Sequence, residues 1–219
     1  MSLIVKICGL STPATLDAAL AAGADMVGFV FFPASPRHVD LDTARVLGKQ
    51  AKGRAVKVAL SVDADDALLA NSIDALQPQI LQLHGGESVA RIRDIKHKFG
   101  LPVMKAIAVG SKADLATLPG YAAICDRILF DAKPPKDATR PGGLGEPFDW
   151  RLLEGLDLAL PFMVSGGLDA GNVAEALRVT GAGGVDISSG VESAPGIKDP
   201  EMIRDFIRAA RATQELTAS

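Results

Sequence analysis

Short apolar runs alternate along the chain with longer stretches of helical period. The apolar runs predict eight strands, over residues 3–8, 26–32, 55–62, 80–84, 102–109, 127–131, 161–165 and 184–188. Between them, segments such as "TPATLDAALAAGA", "DADDALLANSIDAL" and "SVARIRDIKHKF" set apolar residues three and four apart, and "DPEMIRDFIRAARAT" continues the pattern after the last strand. "SKADLATL" and "FDWRLLEGL" are expected as helices on the same ground. Several helical stretches open with Ser, Thr or Asp, the residues whose side chains cap first-turn N–H groups, and Pro13 and Pro200 sit near first-turn positions. Eight strand–helix pairs in 219 residues, roughly 27 residues per unit, predict an α/β protein built as one TIM-type (β/α)8 barrel domain over residues 1–219. A doubly wound open sheet usually has fewer units, and no G-x-G-x-x-G follows the first strand.

Composition narrows the partners. With 23 basic and 26 acidic residues, a net charge of −3 and no block of five like charges, the chain carries no footprint for nucleic acid or for an anionic membrane. The opening "MSLIVKICGL" lacks a signal peptide's features, and uncharged runs such as "MVGFVFFPASP" are too short to span a bilayer, so a cytoplasmic protein acting on a small ligand is expected. Two cysteines, Cys8 and Cys125, make neither a disulfide framework nor a metal cluster. They are expected at opposite ends of the barrel, roughly 17–20 Å apart, too far to bridge.

In such a barrel the chemistry gathers at the C-terminal ends of the strands. Those ends carry Cys8, the "PASPRHV" loop, "SVD", "QLHGGE", "LFDAKPP", "VSGGL" and "DISSGVE". The two glycine-rich loops after strands seven and eight have the makings of a phosphate cradle, with Gly166, Gly167, Ser188, Ser189 and Gly190 as the expected contributors. By residue type alone, Cys8 is as well an inert core residue as a reactive thiol. His84 is expected as a hydrogen-bonding pocket residue, His38 and His97 as surface residues, and Trp150 as a packing anchor.

Together, "KICGL", "GFVFFPASPRHV", "LQLHG", "LFDA…GGLGEPFDW", "SGGL…NV" and "VDISSGVES…G.KD" resemble phosphoribosylanthranilate isomerase over almost the whole chain, in order and at similar spacing. The resemblance implies an Amadori rearrangement of N-(5-phosphoribosyl)anthranilate in tryptophan biosynthesis, without metal or organic cofactor. It implies Cys8 as general base and Asp131 as general acid, and Arg37 as the group meeting the anthranilate by its carboxylate or ring. The chain departs from the family pattern at Leu144, where a hydroxyl residue is usual, and at Ser165, where alanine is common. The related isomerase of histidine biosynthesis would carry aspartate in place of Cys8, and its second phosphate would need a second anion cradle. The opposite side of the mouth instead offers Arg37 with Phe29, Phe31 and Phe32 expected nearby.

Strand alternation adds one expectation. If Cys8 points into the barrel so does Lys6, and if Ser188 points inward so does Asp186, because side chains two apart share a face. Strands one and eight adjoin in a closed barrel. Lys6 and Asp186 are therefore expected to form a buried ion pair under the site, with Lys6 favouring the Cys8 thiolate. Asp186 is counted with the substrate-binding residues, and the assembly is expected to be a monomer or homodimer.

Overall fold

A computed structural model describes residues 3–134 and 147–217. Eight parallel strands, β1 (Ile4–Cys8), β2 (Met26–Phe31), β3 (Val56–Ser61), β4 (Ile80–Leu83), β5 (Val103–Val109), β6 (Arg127–Ala132), β7 (Phe162–Val164) and β8 (Gly184–Ile187), form a barrel closed in sequence order. Closure is made by β1 against β8, where Lys6 lies opposite Asp186 in the register. The helices outside are α1 (Pro13–Ala21), α2 (Leu41–Ala51), α3 (Asp66–Leu76), α4 (Val89–Phe99), α5 (Leu118–Ala122), α6 (Val173–Thr180) and α7 (Pro200–Thr217).

Local chemistry accounts for the helix starts. Thr12, Asp40, Asp65 and Ser88 each cap a helix by accepting the N–H three residues on, at 3.3, 2.7, 2.8 and 3.2 Å. Alternate strand residues then divide between two apolar layers. Val5, Ile7, Val27, Phe29, Phe31, Leu81, Leu83, Ile128 and Phe130 face the helices in the main core. Met26, Val58, Met104, Ala106, Leu129 and Met163 close the bottom of the barrel interior. Above that floor the interior becomes polar, and the site begins there.

Two expectations change. "SKADLATL" forms a 3-10 turn over Lys112–Thr117 leading into α5, and of "FDWRLLEGL" only Trp150–Leu153 coils, also as 3-10. Gly155, at φ 68°, ends that turn after a single cycle. A short antiparallel hairpin, β9 (Glu192–Ala194) with β10 (Ile197–Lys198), follows β8 and was not expected from the apolar pattern. Leu144 lies outside the described residues. Both cysteines are free thiols. Among the described residues no helix is long and apolar enough to cross a membrane.

Candidate active site

The wall formed by β8 and β1 holds charge. Lys6, fully buried, donates to Asp186 Oδ1 at 2.8 Å, as closure and alternation required. One turn of the pleat above it, Cys8 points to the mouth among Val30, Leu60, Phe32 and Val62. Gly28 makes room for it: a Cβ there would stand 2.8 Å from the Cys8 sulfur and 3.2 Å from Lys6 Cε. Burial pushes the Cys8 thiol up, Lys6 pulls it down and Asp186 pushes it up again, leaving it above its ordinary value. The expected help from Lys6 is therefore present but outweighed by desolvation. Burial in turn works against the Lys6 ammonium, yet the charges of Asp186 and Cys8 overcome this and hold its pKa above the ordinary lysine value.

Around β4 to β6 the wall is built differently. Asp131, at the end of β6 and 4% exposed, accepts from Ala132 N–H on Oδ1 at 2.9 Å and lies 3.1 Å from His84 Nε2 through Oδ2. The other ring nitrogen of His84, Nδ1, is 3.0 Å from the Gln82 amide nitrogen. β5 lies between the two strands and presents Ala106 and Ala108 to the interior, with Ala108 beside Asp131 in the register. Those small side chains let the His84 ring cross to Asp131. Gly166, at φ 82°, packs on the same carboxylate, and a Cβ there would meet Asp131 Oδ1 at 3.0 Å and Ala132 N at 2.5 Å.

The loops after β7 and β8 close on one another. Gly166 and Gly167 both take left-handed backbone, and Gly190 sits so near the Leu168 carbonyl that a Cβ would fall 1.9 Å from its oxygen. Ser189 and Gly190 lie on the 3-10 turn Ser189–Val191. Ser188, expected in the phosphate cradle, donates to the Cys8 carbonyl at 3.1 Å and receives the Lys198 ammonium at 3.1 Å.

Arg37 reaches the mouth from the loop after β2, which is pinned to its strand by a bridge between Val30 and His38. Its guanidinium grips Glu192 through Nε at 2.7 Å and a second nitrogen at 2.8 Å, the fork geometry that suits a carboxylate. Glu192 also accepts from Lys198 at 2.6 Å and from Gly196 N–H at 3.1 Å. Burial opposes the charge on Glu192, but the bonds from Arg37 and Lys198 hold its carboxyl below the ordinary value. Burial lowers Lys198 to about 8, and Glu192 offsets only part of this.

Of the residues expected at the site, Cys8, His84, Asp131, Asp186 and Ser188 come together inside the mouth, Gly166, Gly167, Ser189 and Gly190 form its rim, and Arg37 flanks it. Phe29 and Phe31 do not belong to the mouth. They point outward into the helix layer, because a strand residue odd to Cys8's face in β2 must turn away from it, and Phe32 alone of the three joins the Cys8 cluster. His38 and His97 are exposed, and Trp150 packs on the core. Three participants were missed: Gln82, Glu192 and Lys198. Gln82 had a signal, since it precedes His84 by two residues on one strand. Glu192 and Lys198 stood in a recognised motif, but nothing in the spacing said that they meet. Among the described residues no three His, Cys, Asp or Glu side chains gather as a metal site would need.

Comparison with known proteins places this geometry among relatives. Residues 5–209 match the family model of N-(5'phosphoribosyl)anthranilate (PRA) isomerase. The N-(5'-phosphoribosyl)anthranilate isomerase of Bradyrhizobium diazoefficiens is 74% identical over 215 residues, covering 98% of this chain and 96% of that one. The crystal structure of phosphoribosyl anthranilate isomerase from Thermotoga maritima superposes with a TM-score of 0.87 at 33% identity, over 96% of this chain and 99% of that one. A second solved isomerase, in complex with reduced 1-(o-carboxyphenylamino)-1-deoxyribulose 5-phosphate, gives a TM-score of 0.83 at 31% identity, over 96% of this chain and 99% of that one.

Proposed function

The chain belongs to the N-(5'-phosphoribosyl)anthranilate isomerase family, and we propose that Cys8 and Asp131 are the base and acid of its reaction. The enzyme converts N-(5-phosphoribosyl)anthranilate to 1-(2-carboxyphenylamino)-1-deoxyribulose 5-phosphate, the Amadori step of tryptophan biosynthesis. The observation that carries the assignment of roles is the pair itself: a thiol at the end of β1 and a carboxyl at the end of β6, both facing one mouth with β7 and β8 between them.

Asp131 gives its proton to the ribose ring oxygen as the bond from that oxygen to C1 breaks, leaving an open-chain Schiff base. The Cys8 thiolate then takes the proton from C2, and the electrons of that C–H bond pass to the nitrogen to give an enolamine, which ketonises to product. Burial leaves the Cys8 thiol above its ordinary value, and Lys6 works against that rise, toward the thiolate that the step needs.

The rest of the substrate is held by the rim. Gly166, Gly167, Ser189 and Gly190 offer backbone N–H groups and a hydroxyl to the phosphate, while Ser188 and Asp186 anchor the floor beneath the sugar. Arg37, held side-on by Glu192, meets the anthranilate carboxylate beside Phe32. This reading describes a cytoplasmic, single-domain enzyme acting on a small phosphorylated substrate without metal or organic cofactor, as a monomer or homodimer, with no role for nucleic acid or membrane. Phosphoribosylanthranilate generated in situ should disappear far faster with the purified protein than without it, followed by loss of its fluorescence. No turnover above background would overturn the reading.

A further inference from the structure

We propose that Gln82 is a positioning residue that keeps His84 neutral, with its proton on Nε2, so that the proton of Asp131 is left for the substrate. The inference rests on the reading of Asp131 as general acid.

A histidine bonded to an acid has three states, and two of them disable it. As an imidazolium, His84 would hold Asp131 as a carboxylate with nothing to give. As the neutral form carrying its proton on Nδ1, it would turn a lone pair toward Oδ2 and draw the acid's proton into an internal bond, away from the sugar. In the third state Nε2–H donates to Oδ2. With Ala132 N–H already on Oδ1, the carboxyl then has a donor on each oxygen to receive the charge that develops as its proton departs. In that step one proton passes from Asp131 to the ring oxygen, Asp131 becomes a carboxylate, and His84 keeps the proton it had.

Gln82 selects the third state. An amide nitrogen only donates, and at 3.0 Å from Nδ1 it requires a lone pair there. The opposite orientation of the amide is disfavoured by its surroundings. Gln82 is fully buried, and its Oε1 has no hydrogen-bond partner. Reversal would put the two N–H groups in that place, and orphaned buried N–H groups are rarer than under-satisfied carbonyls. The barrel wall thus fixes the amide, and the amide fixes the ring. Among the described residues, the other titratable groups facing this interior are Lys6, Cys8, Asp186 and Lys198 across the mouth, with Lys6 paired to Asp186 and Lys198 to Glu192. Behind the His84 loop, Lys105 donates to Gly85 O and to Glu87, so its charge is answered there.

The test is nitrogen NMR of the full-length protein labelled at histidine, with the His84 signals assigned by comparison with His84→Gln. At neutral pH the wild type should show a protonated Nε2 and an unprotonated Nδ1. Gln82→Met, which removes the donor at similar volume, should lose that selection and lower kcat about tenfold or more while KM changes less. A protonated Nδ1 in the wild type overturns the proposal. So does persistence of the Nε2–H form in Gln82→Met, or an unchanged kcat once that form is lost. Should Gln82→Met fail to fold, the wild-type spectrum still decides the tautomer. The acid reading fails separately: an Asp131→Asn variant with full activity would remove it whatever the His84 spectrum shows.

Discussion

Two walls of one mouth handle buried polarity in opposite ways. Between β8 and β1, full charges face each other at 2.8 Å in register, and the thiol above them feels both. Between β4 and β6, a carboxyl is served by a ring and an amide across Ala106 and Ala108 of β5. In the first wall either charge alone would be costly in that interior, so the pair stands or falls together. The second relies on direction: what matters there is which nitrogen carries a proton. On the proposed assignment, the base sits beside fixed charges and the acid beside neutral donors.

Breaking the charged wall should have the largest effect. Lys6→Met leaves Asp186 buried and unpaired, and is expected to destabilise the fold by about 3–5 kcal/mol, against about 1 kcal/mol for the hydrogen bond lost in Gln82→Met. Urea unfolding of both variants measures the contrast; equal losses would erase the distinction between the walls. Next come the proposed base and acid. Cys8→Ser and Asp131→Asn should each lower kcat by about two orders of magnitude or more with folding nearly intact, and retention of more than about a tenth of the activity would contradict the role of that residue.

The smallest effect is a shift in pH. Because burial and Asp186 raise the Cys8 thiol while Lys6 lowers it, alkylation of Cys8 by iodoacetamide should accelerate only above the ordinary thiol range. Removing Lys6 leaves burial and Asp186 opposed only by the weaker pull of Lys198, so the alkylation profile of Lys6→Met should move further alkaline. A move toward acid would show that Lys6 does not favour the thiolate.

Much of this was legible in the sequence. Eight alternations point to the barrel, and its rule about strand ends reaches Cys8 and the loops that hold His84 and Asp131, while the roles of Cys8 and Asp131 come from the family resemblance. The Lys6–Asp186 pair followed from two-residue alternation plus closure, since β1 and β8 are adjacent and their register brings like-facing residues together. The bond from His84 to Asp131 could not be read in the same way. β4 and β6 share no ladder, and the contact exists because the inner face of β5 carries only Ala106 and Ala108 near the mouth. Arg37 and Glu192 are 155 residues apart, joined through a hairpin that carries no apolar pattern. Phe29 and Phe31 show the converse failure: an apolar run names a strand without saying which of its residues face the ligand.

The sequence by itself determined the periodicities and the caps, because each depends on neighbours within a turn or a pleat. Tertiary structure alone decided the partners and states of those residues. That His84 meets Asp131, whether desolvation or Lys6 wins at Cys8, and what holds Arg37 depend on groups from separate strands and loops, brought together only when the barrel closes.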